Sequence, residues 1–146
     1  MGQRSGFEMI TRVGHIGIAV SDLDEALKIY EKTLGLKAKA VKVVEAVKLK
    51  IAFLPVGDGE IELLQPLDSD TSIAKFIAAH GEGIHHIALV TDDIEAEVEN
   101  MRKKGVKFAD DKPRIGAHGV KIAFVSPEST HGVTVELCEE VNSPES

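Results

Sequence analysis

A segment near the start of the chain returns near its middle. Gly14-His-Ile-Gly-Ile-Ala-Val-Ser-Asp-Leu lines up with His85-His-Ile-Ala-Leu-Val-Thr-Asp-Asp-Ile, which sets His15 against His86, 71 residues on. Lys50-Ile-Ala-Phe comes back as Lys121-Ile-Ala-Phe at the same offset, and Ile61-Glu-Leu as Val135-Glu-Leu, so Glu62 matches Glu136 at 74. A repeat of this period means a duplicated supersecondary unit. With 146 residues, the chain holds one compact domain built from two half-size modules.

Each module reads as strand, helix, then three strands. Val13 to Val20 alternates as a strand. Ser21 is the expected helix N-cap, with Asp24 in the box position. Leu23, Ala26, Leu27, Tyr30 and Leu34 fall at helical spacing, and Gly35 stops the helix. In the second module Asp92 is the expected cap, with Glu95 in the box position. Ile94, Val98 and Met101 form the stripe there, and Gly105 the stop. Strands are expected at Val41 to Val47, Leu49 to Leu54 and Glu60 to Gln65, then at Val106 to Ala109, Val120 to Val125 and Val133 to Cys138. A short helix, Ile73 to Ala79, links the halves. The expected organisation is a leader over residues 1–11, modules over about 12–66 and 84–138, and a tail over 139–146. Residues Met1 to Phe7 match no pattern, and Met9 is a candidate natural start.

Composition narrows the function classes. The net charge of −7, from 17 basic and 24 acidic residues without a basic block, argues against a nucleic-acid partner. No apolar run reaches the roughly 18 residues of a membrane span. The single cysteine, Cys138, excludes an internal disulfide framework and suits a reducing compartment.

The strand period of two sorts side chains onto faces. Ile16, Ile18 and Val20 are expected under the helices, with His15, Gly17 and Ala19 averted. The same sorting puts Ile51, Phe53, Ile61 and Leu63 under a helix, with Lys50, Ala52, Leu54, Glu62 and Leu64 averted. In the second module the averted sets are His86, Ala88 and Val90; Lys121, Ala123 and Val125; and Thr134, Glu136 and Cys138. That face carries two imidazoles and two carboxylates among small residues, as a cavity would require. His15, Glu62, His86 and Glu136 together form an N₂O₂ divalent-metal site with positions left open. A lone His or Glu on a strand is usually a solvated face residue; four at matched positions of a duplicated unit are not. His85 lies on the opposite pleat and is expected to be packed or hydrogen-bonded. His80, His118 and His131 fall at helix-end or loop positions, and Gln65 falls on the wrong face to ligate unless a bulge before Pro66 turns it.

These residues resemble a known family. His15-Ile-Gly-Ile-Ala-Val-Ser-Asp-Leu is similar to the opening strand of vicinal-oxygen-chelate enzymes, whose layout is a duplicated βαβββ. Glu62-Leu-Leu-Gln-Pro-Leu, Ile73-Ala-Lys-Phe-Ile and Gly83-Ile-His-His-Ile-Ala-Leu resemble the methylmalonyl-CoA epimerases within that superfamily. So do Ile115-Gly-Ala-His-Gly, Phe124-Val-Ser-Pro and Gly132-Val-Thr-Val-Glu-Leu. The resemblance spans about residues 12 to 138. It implies an α+β fold: two βαβββ modules forming a curved mixed sheet around a metal-centred cavity, helices on the outer face. It also implies His15, Glu62, His86 and Glu136 as ligands of one divalent ion per subunit, with cobalt placed ahead of nickel, manganese or zinc. A coenzyme A thioester substrate, a homodimer and a cytoplasmic location complete the expectation.

Inversion at the α-carbon needs a proton acceptor on one side and a donor on the other. The resemblance implies Glu136 as one of these. Some family members carry a glutamate on the strand before the Glu62 strand, where the sorting above puts Lys50. Lys50 is therefore expected as the partner, with Glu45 the alternative acid. The competing readings are a lactoylglutathione lyase-type isomerase and a metal-free small-molecule-binding module.

Overall fold

A computed structural model describes residues 10–140. Most of the expected leader and tail, Met9 included, lies outside the described residues, although Ile10 and Thr11 already belong to the first strand. The chain divides into two compact units. One is His15–His86, called the first unit here; the other joins Ile87 onward to the start of the chain up to Gly14. The boundary passes through β1 (Ile10–Ala19) and β5 (Gly83–Thr91).

In the first unit the strands β2 (Ala40–Val44), β3 (Leu49–Val56) and β4 (Gly59–Pro66) join β1 in the order β2-β3-β4-β1. The β1–β4 pair is parallel and the others antiparallel. In the second unit β6 (Arg114–Ile115), β7 (Lys121–Val125) and β8 (Val135–Glu139) join β5 in the order β5-β8-β7-β6, with β5–β8 parallel. The duplication extends to register. Gly17 faces Glu62 across β1–β4 as Ala88 faces Glu136 across β5–β8. Phe53 faces Glu62 as Phe124 faces Glu136. The mixed α+β layout expected from the sequence is thus present in each half.

The first helix, α1, runs Leu23–Leu27 and continues as a π turn over Lys28–Thr33. Its counterpart α3, Ile94–Lys103, is α-helical throughout. Starting from the equivalent residues Leu23 and Ile94, the stop glycines Gly35 (φ 77°) and Gly105 (φ 94°) fall one residue out of step. The π turn absorbs that extra residue, with Leu34 N–H reaching back to the Ile29 carbonyl. Asp22 and Asp93 are the caps, one residue beyond the expected Ser21 and Asp92. Each side chain accepts a backbone N–H three residues on, from Glu25 and Ala96.

A second capping device comes from across the sheet and left no local signal. Leu23 N–H donates to Gln65 Oε1 at 2.7 Å, and Ile94 N–H donates to Glu139 Oε2 at 3.1 Å. Two strand boundaries also differ from expectation. Residues 45–48 turn between β2 and β3 instead of extending β2, with Lys48 at φ 54°. Val106 to Ala109 forms only a single bridge, Phe108 to Val125, and the edge strand is β6.

The cores settle the faces. Leu23, Ala26, Leu27 and Tyr30 of α1 pack with Ile18, Val20, Ala52, Leu54, Ile61 and Leu63. Ile94, Val98 and Met101 of α3 pack with Leu89, Ala123, Val125, Val135 and Leu137. The fully buried leucines Leu23, Leu54, Leu63 and Leu137 each contribute about 1.5–3 kcal/mol by burial. The expected sorting is right for β1, β4, β5 and β8 and inverted for β3 and β7. Ile51 and Phe53 lie on the averted face with Ala19 and Leu64. There they are covered by α2 (Ser72–His80) through Ile73, Phe76 and Ile77. Size misled the assignment: Ala52 and Ala123 look like cavity residues, but they lie in the cores beneath α1 and α3. The outer-face expectation therefore fits α1 and α3 but not α2.

Candidate metal centre

His15, Glu62 and His86 converge within the first unit. All three are buried, at 8%, 3% and 7% exposure, although they are residue types that seek water. The period of β1 carries His15 to the face away from α1, and the register brings Glu62 to the same face, beside Gly17. His15 Nε2 lies 3.0 Å from His86 Nε2, with the rings edge to face at 86°. His15 Nδ1 lies 3.3 Å from Glu62 Oε2.

This donor set fits a divalent ion. Two nitrogen ligands at about 2.1 Å from a metal and at right angles to one another are about 3 Å apart, which is the Nε2–Nε2 separation observed. Burial of the groups argues against a solvated surface cluster.

Gly17 makes the arrangement possible. A Cβ there would fall 2.3 Å from Cε1 of the His86 ring, inside any tolerable contact. The sequence marks Gly17 as small without saying what needs the space. His85 is on the opposite pleat, as expected, yet its Nδ1 lies 2.9 Å from Nδ1 of His86. His80 ends α2, exposed, with its ring against Phe76.

Glu136 belongs to the second unit and is buried at 8% exposure. Cys138, two residues along the same pleat, donates to its Oε2 at 3.1 Å. Glu136 Oε2 is thus held by a neighbour. His118 and His131 sit in exposed turns of this unit.

Lys50 corrects the sequence reading. It pairs with Gln65, and with Ala52 and Leu63 it lies on the pleat that faces α1. Its counterpart Lys121 reaches the helix side as well, with Nζ 2.9 Å from Glu95 of α3. The residues of β3 that share the Glu62 face are Leu49, Ile51, Phe53 and Pro55, all apolar. Glu45 is exposed in the β2–β3 turn. Gln65, expected on the wrong face to ligate, is indeed on the α1 side, where it caps the helix.

Residues 14–124 match the family model of the glyoxalase/bleomycin resistance protein/dioxygenase superfamily. The chain belongs to that superfamily. Among its superfamily relatives is an uncharacterized Bacillus subtilis protein, YqjC, 40% identical over 130 residues that cover 89% of this chain and 93% of the other. The ethylmalonyl-CoA/methylmalonyl-CoA epimerase of Cereibacter sphaeroides is 35% identical over 131 residues, 88% of this chain and 98% of the relative. Among solved superfamily structures, a variant of Streptomyces coelicolor methylmalonyl-CoA epimerase in complex with 2-nitronate-propionyl-CoA superposes with a TM-score of 0.82. It is 37% identical, with 91% of this chain and 99% of that chain covered.

Proposed function

We propose that this chain is a methylmalonyl-CoA epimerase that interconverts the two configurations at the α-carbon of a malonyl thioester. The observation that carries the reading is the buried His15–His86 pair with Glu62 beside it, repeated in pattern by Glu136, in a chain whose epimerase relative aligns along nearly its full length. His15, Glu62, His86 and Glu136 would hold one divalent ion, cobalt ahead of nickel, manganese or zinc. Such an ion supplies Lewis-acid stabilisation of the negative charge that develops on the thioester oxygen when the α-proton leaves.

The chain's own residues supply the rest. The two imidazoles offer nitrogen donors whose Nε2 atoms lie 3.0 Å apart. Glu136, with one oxygen held by Cys138, is the proton-transfer group on one side of the α-carbon. Lys50, on the pleat facing α1, takes no part, so Lys50→Met is expected to keep the parent rate. Cys138 as the one cysteine suits a reducing cytoplasm, and a homodimer is part of the same proposal.

The test is exchange of the α-proton of methylmalonyl-CoA in heavy water, with the metal-stripped protein and after adding cobalt. Exchange that appears with cobalt and is lost in His15→Ala and His86→Ala supports the reading. A protein that leaves the thioester untouched but isomerises a glutathione hemithioacetal is a lactoylglutathione lyase-type enzyme instead. Equal metal content in parent and both variants removes the metal centre.

A further inference from the structure

We infer that His85 is a positioning residue for the metal ligand His86, and that it selects the nitrogen through which His86 binds. The inference rests on the metal reading above and names a residue which that reading leaves without a role.

Adjacent residues on a strand point to opposite faces, so a contact between His85 and His86 is not given by the strand geometry. The structure nevertheless brings their Nδ1 atoms to 2.9 Å, with the rings at 89°. A hydrogen bond between two imidazole nitrogens carries one proton. If His85 gave that proton, the neutral His86 ring would carry its own on Nε2, the nitrogen that lies 3.0 Å from His15 Nε2. Nε2 would then have no lone pair for an ion. If His86 donates from Nδ1 to His85 Nδ1, the Nε2 lone pair is exposed toward His15. Ion binding at Nε2 therefore requires the second arrangement, with His85 as acceptor.

The His85 ring is itself held. Phe76 of α2 meets it edge to face, at 5.1 Å between centroids and 79° between planes. Phe76 also packs into the core that α2 makes with Ile51 and Phe53. The two candidate ligands thus differ in their neighbours. His86 Nδ1 is hydrogen-bonded to His85, whereas His15 Nδ1 lies 3.3 Å from a Glu62 oxygen. The residue equivalent to His85 in front of His15 is Gly14, which has no side chain to do the same.

The experiment titrates metal-stripped protein with cobalt(II) chloride, reading the visible cobalt absorption and the dissociation constant, with melting of the metal-free protein as a control. His85→Phe keeps an aromatic ring against Phe76 and removes the acceptor. His85→Asn places an amide oxygen near the Nδ1 position and restores it. The expected result is cobalt binding weakened about 10–100-fold by His85→Phe. An altered cobalt spectrum, an unchanged metal-free melting point and partial recovery in His85→Asn should accompany it. Parent-like affinity and spectrum in His85→Phe overturn the inference, as does equal weakening in both variants. If His85→Phe melts early, the comparison of His85→Asn with His85→Leu decides by the same criteria. His86→Ala separates the two levels. If it leaves cobalt binding intact, the metal reading fails and takes this inference with it; if it abolishes binding while His85→Phe does not weaken it, only the role of His85 fails.

Discussion

Residues 26 and 97 occupy the same place in the two units, each three positions after the first residue of its helix, and they could hardly differ more. Ala26 lies half-buried in the α1 core. Glu97 is buried at 5% exposure, and its Oε1 has no hydrogen-bond partner among the described residues. Loss of hydration pushes its carboxyl above the ordinary value of 4.5, and Lys104 offsets that only in part. The halves share register, caps and ligand pattern, yet each has departed from the common plan. The first took a π turn and a glycine beside the candidate ligands; the second took a buried acid. The shared register and caps belong to the folding of the unit, and the features that differ mark what each half does alone.

Position 17 and its equivalent 88 give the largest expected contrast. Gly17→Ala puts a methyl group into the His86 ring, and the ring must move. Overpacking of this kind costs about 1–3 kcal/mol, and cobalt affinity should fall with it. Ala88→Gly removes a methyl from the equivalent place beside Glu136 and should cost about 0.5–1 kcal/mol, with little change in cobalt affinity. Melting and cobalt titration of the two variants test the contrast. Similar losses at both sites would mean that the clearance at Gly17 serves the sheet and not the histidine.

Glu97 offers the next. Because its folded pKa is raised, its stability contribution is fully present below about the ordinary carboxyl value and is lost as pH rises through the folded pKa. Glu97→Gln removes that loss. It should match the parent near pH 4 and exceed it at pH 8 by about 1–3 kcal/mol, the cost of a buried unsatisfied group. Ala26→Glu should move the first unit the other way, and by less, since that site is only half-buried. A Glu97→Gln gain that is the same at both pH values would show packing, not ionisation, at work.

The repeat made most of the fold legible before any coordinates. Matched His and Glu positions, an apolar stripe on each helix and glycine stops led to the right element order and to the face of β1, β4, β5 and β8. What misled was treating small size as a sign of a cavity. Ala52 and Ala123 are small because helices rest on them, and this inversion put Lys50 on the wrong face. Two features had no local signal because each depends on a partner distant in sequence. They are the clearance of Gly17 for His86 and the capping of α1 and α3 by Gln65 and Glu139.

The capping pair gives the smallest expected effect. Gln65 and Glu139 accept the same N–H, that of the first helical residue, but one is neutral and the other is a carboxylate. A negative charge at a helix N-terminus contributes about 0.3–1 kcal/mol at low ionic strength, and salt screens it. Glu139→Gln keeps an acceptor and removes the charge, so it should cost about that much in low salt and much less in 1 M sodium chloride. Lys121 complicates the reading. Glu95 is the main cause of its raised pKa, but its ammonium also feels Glu139 and Asp93. Part of any loss could therefore come from that attraction and not from the helix. A double-mutant cycle with Lys121→Met isolates the share that remains when the ammonium is gone. If the cost of Glu139→Gln persists in the Lys121→Met background and shrinks with salt, the charge acts on the helix end. A cost that vanishes in that background assigns it to Lys121, and the two units then cap their helices with equal strength.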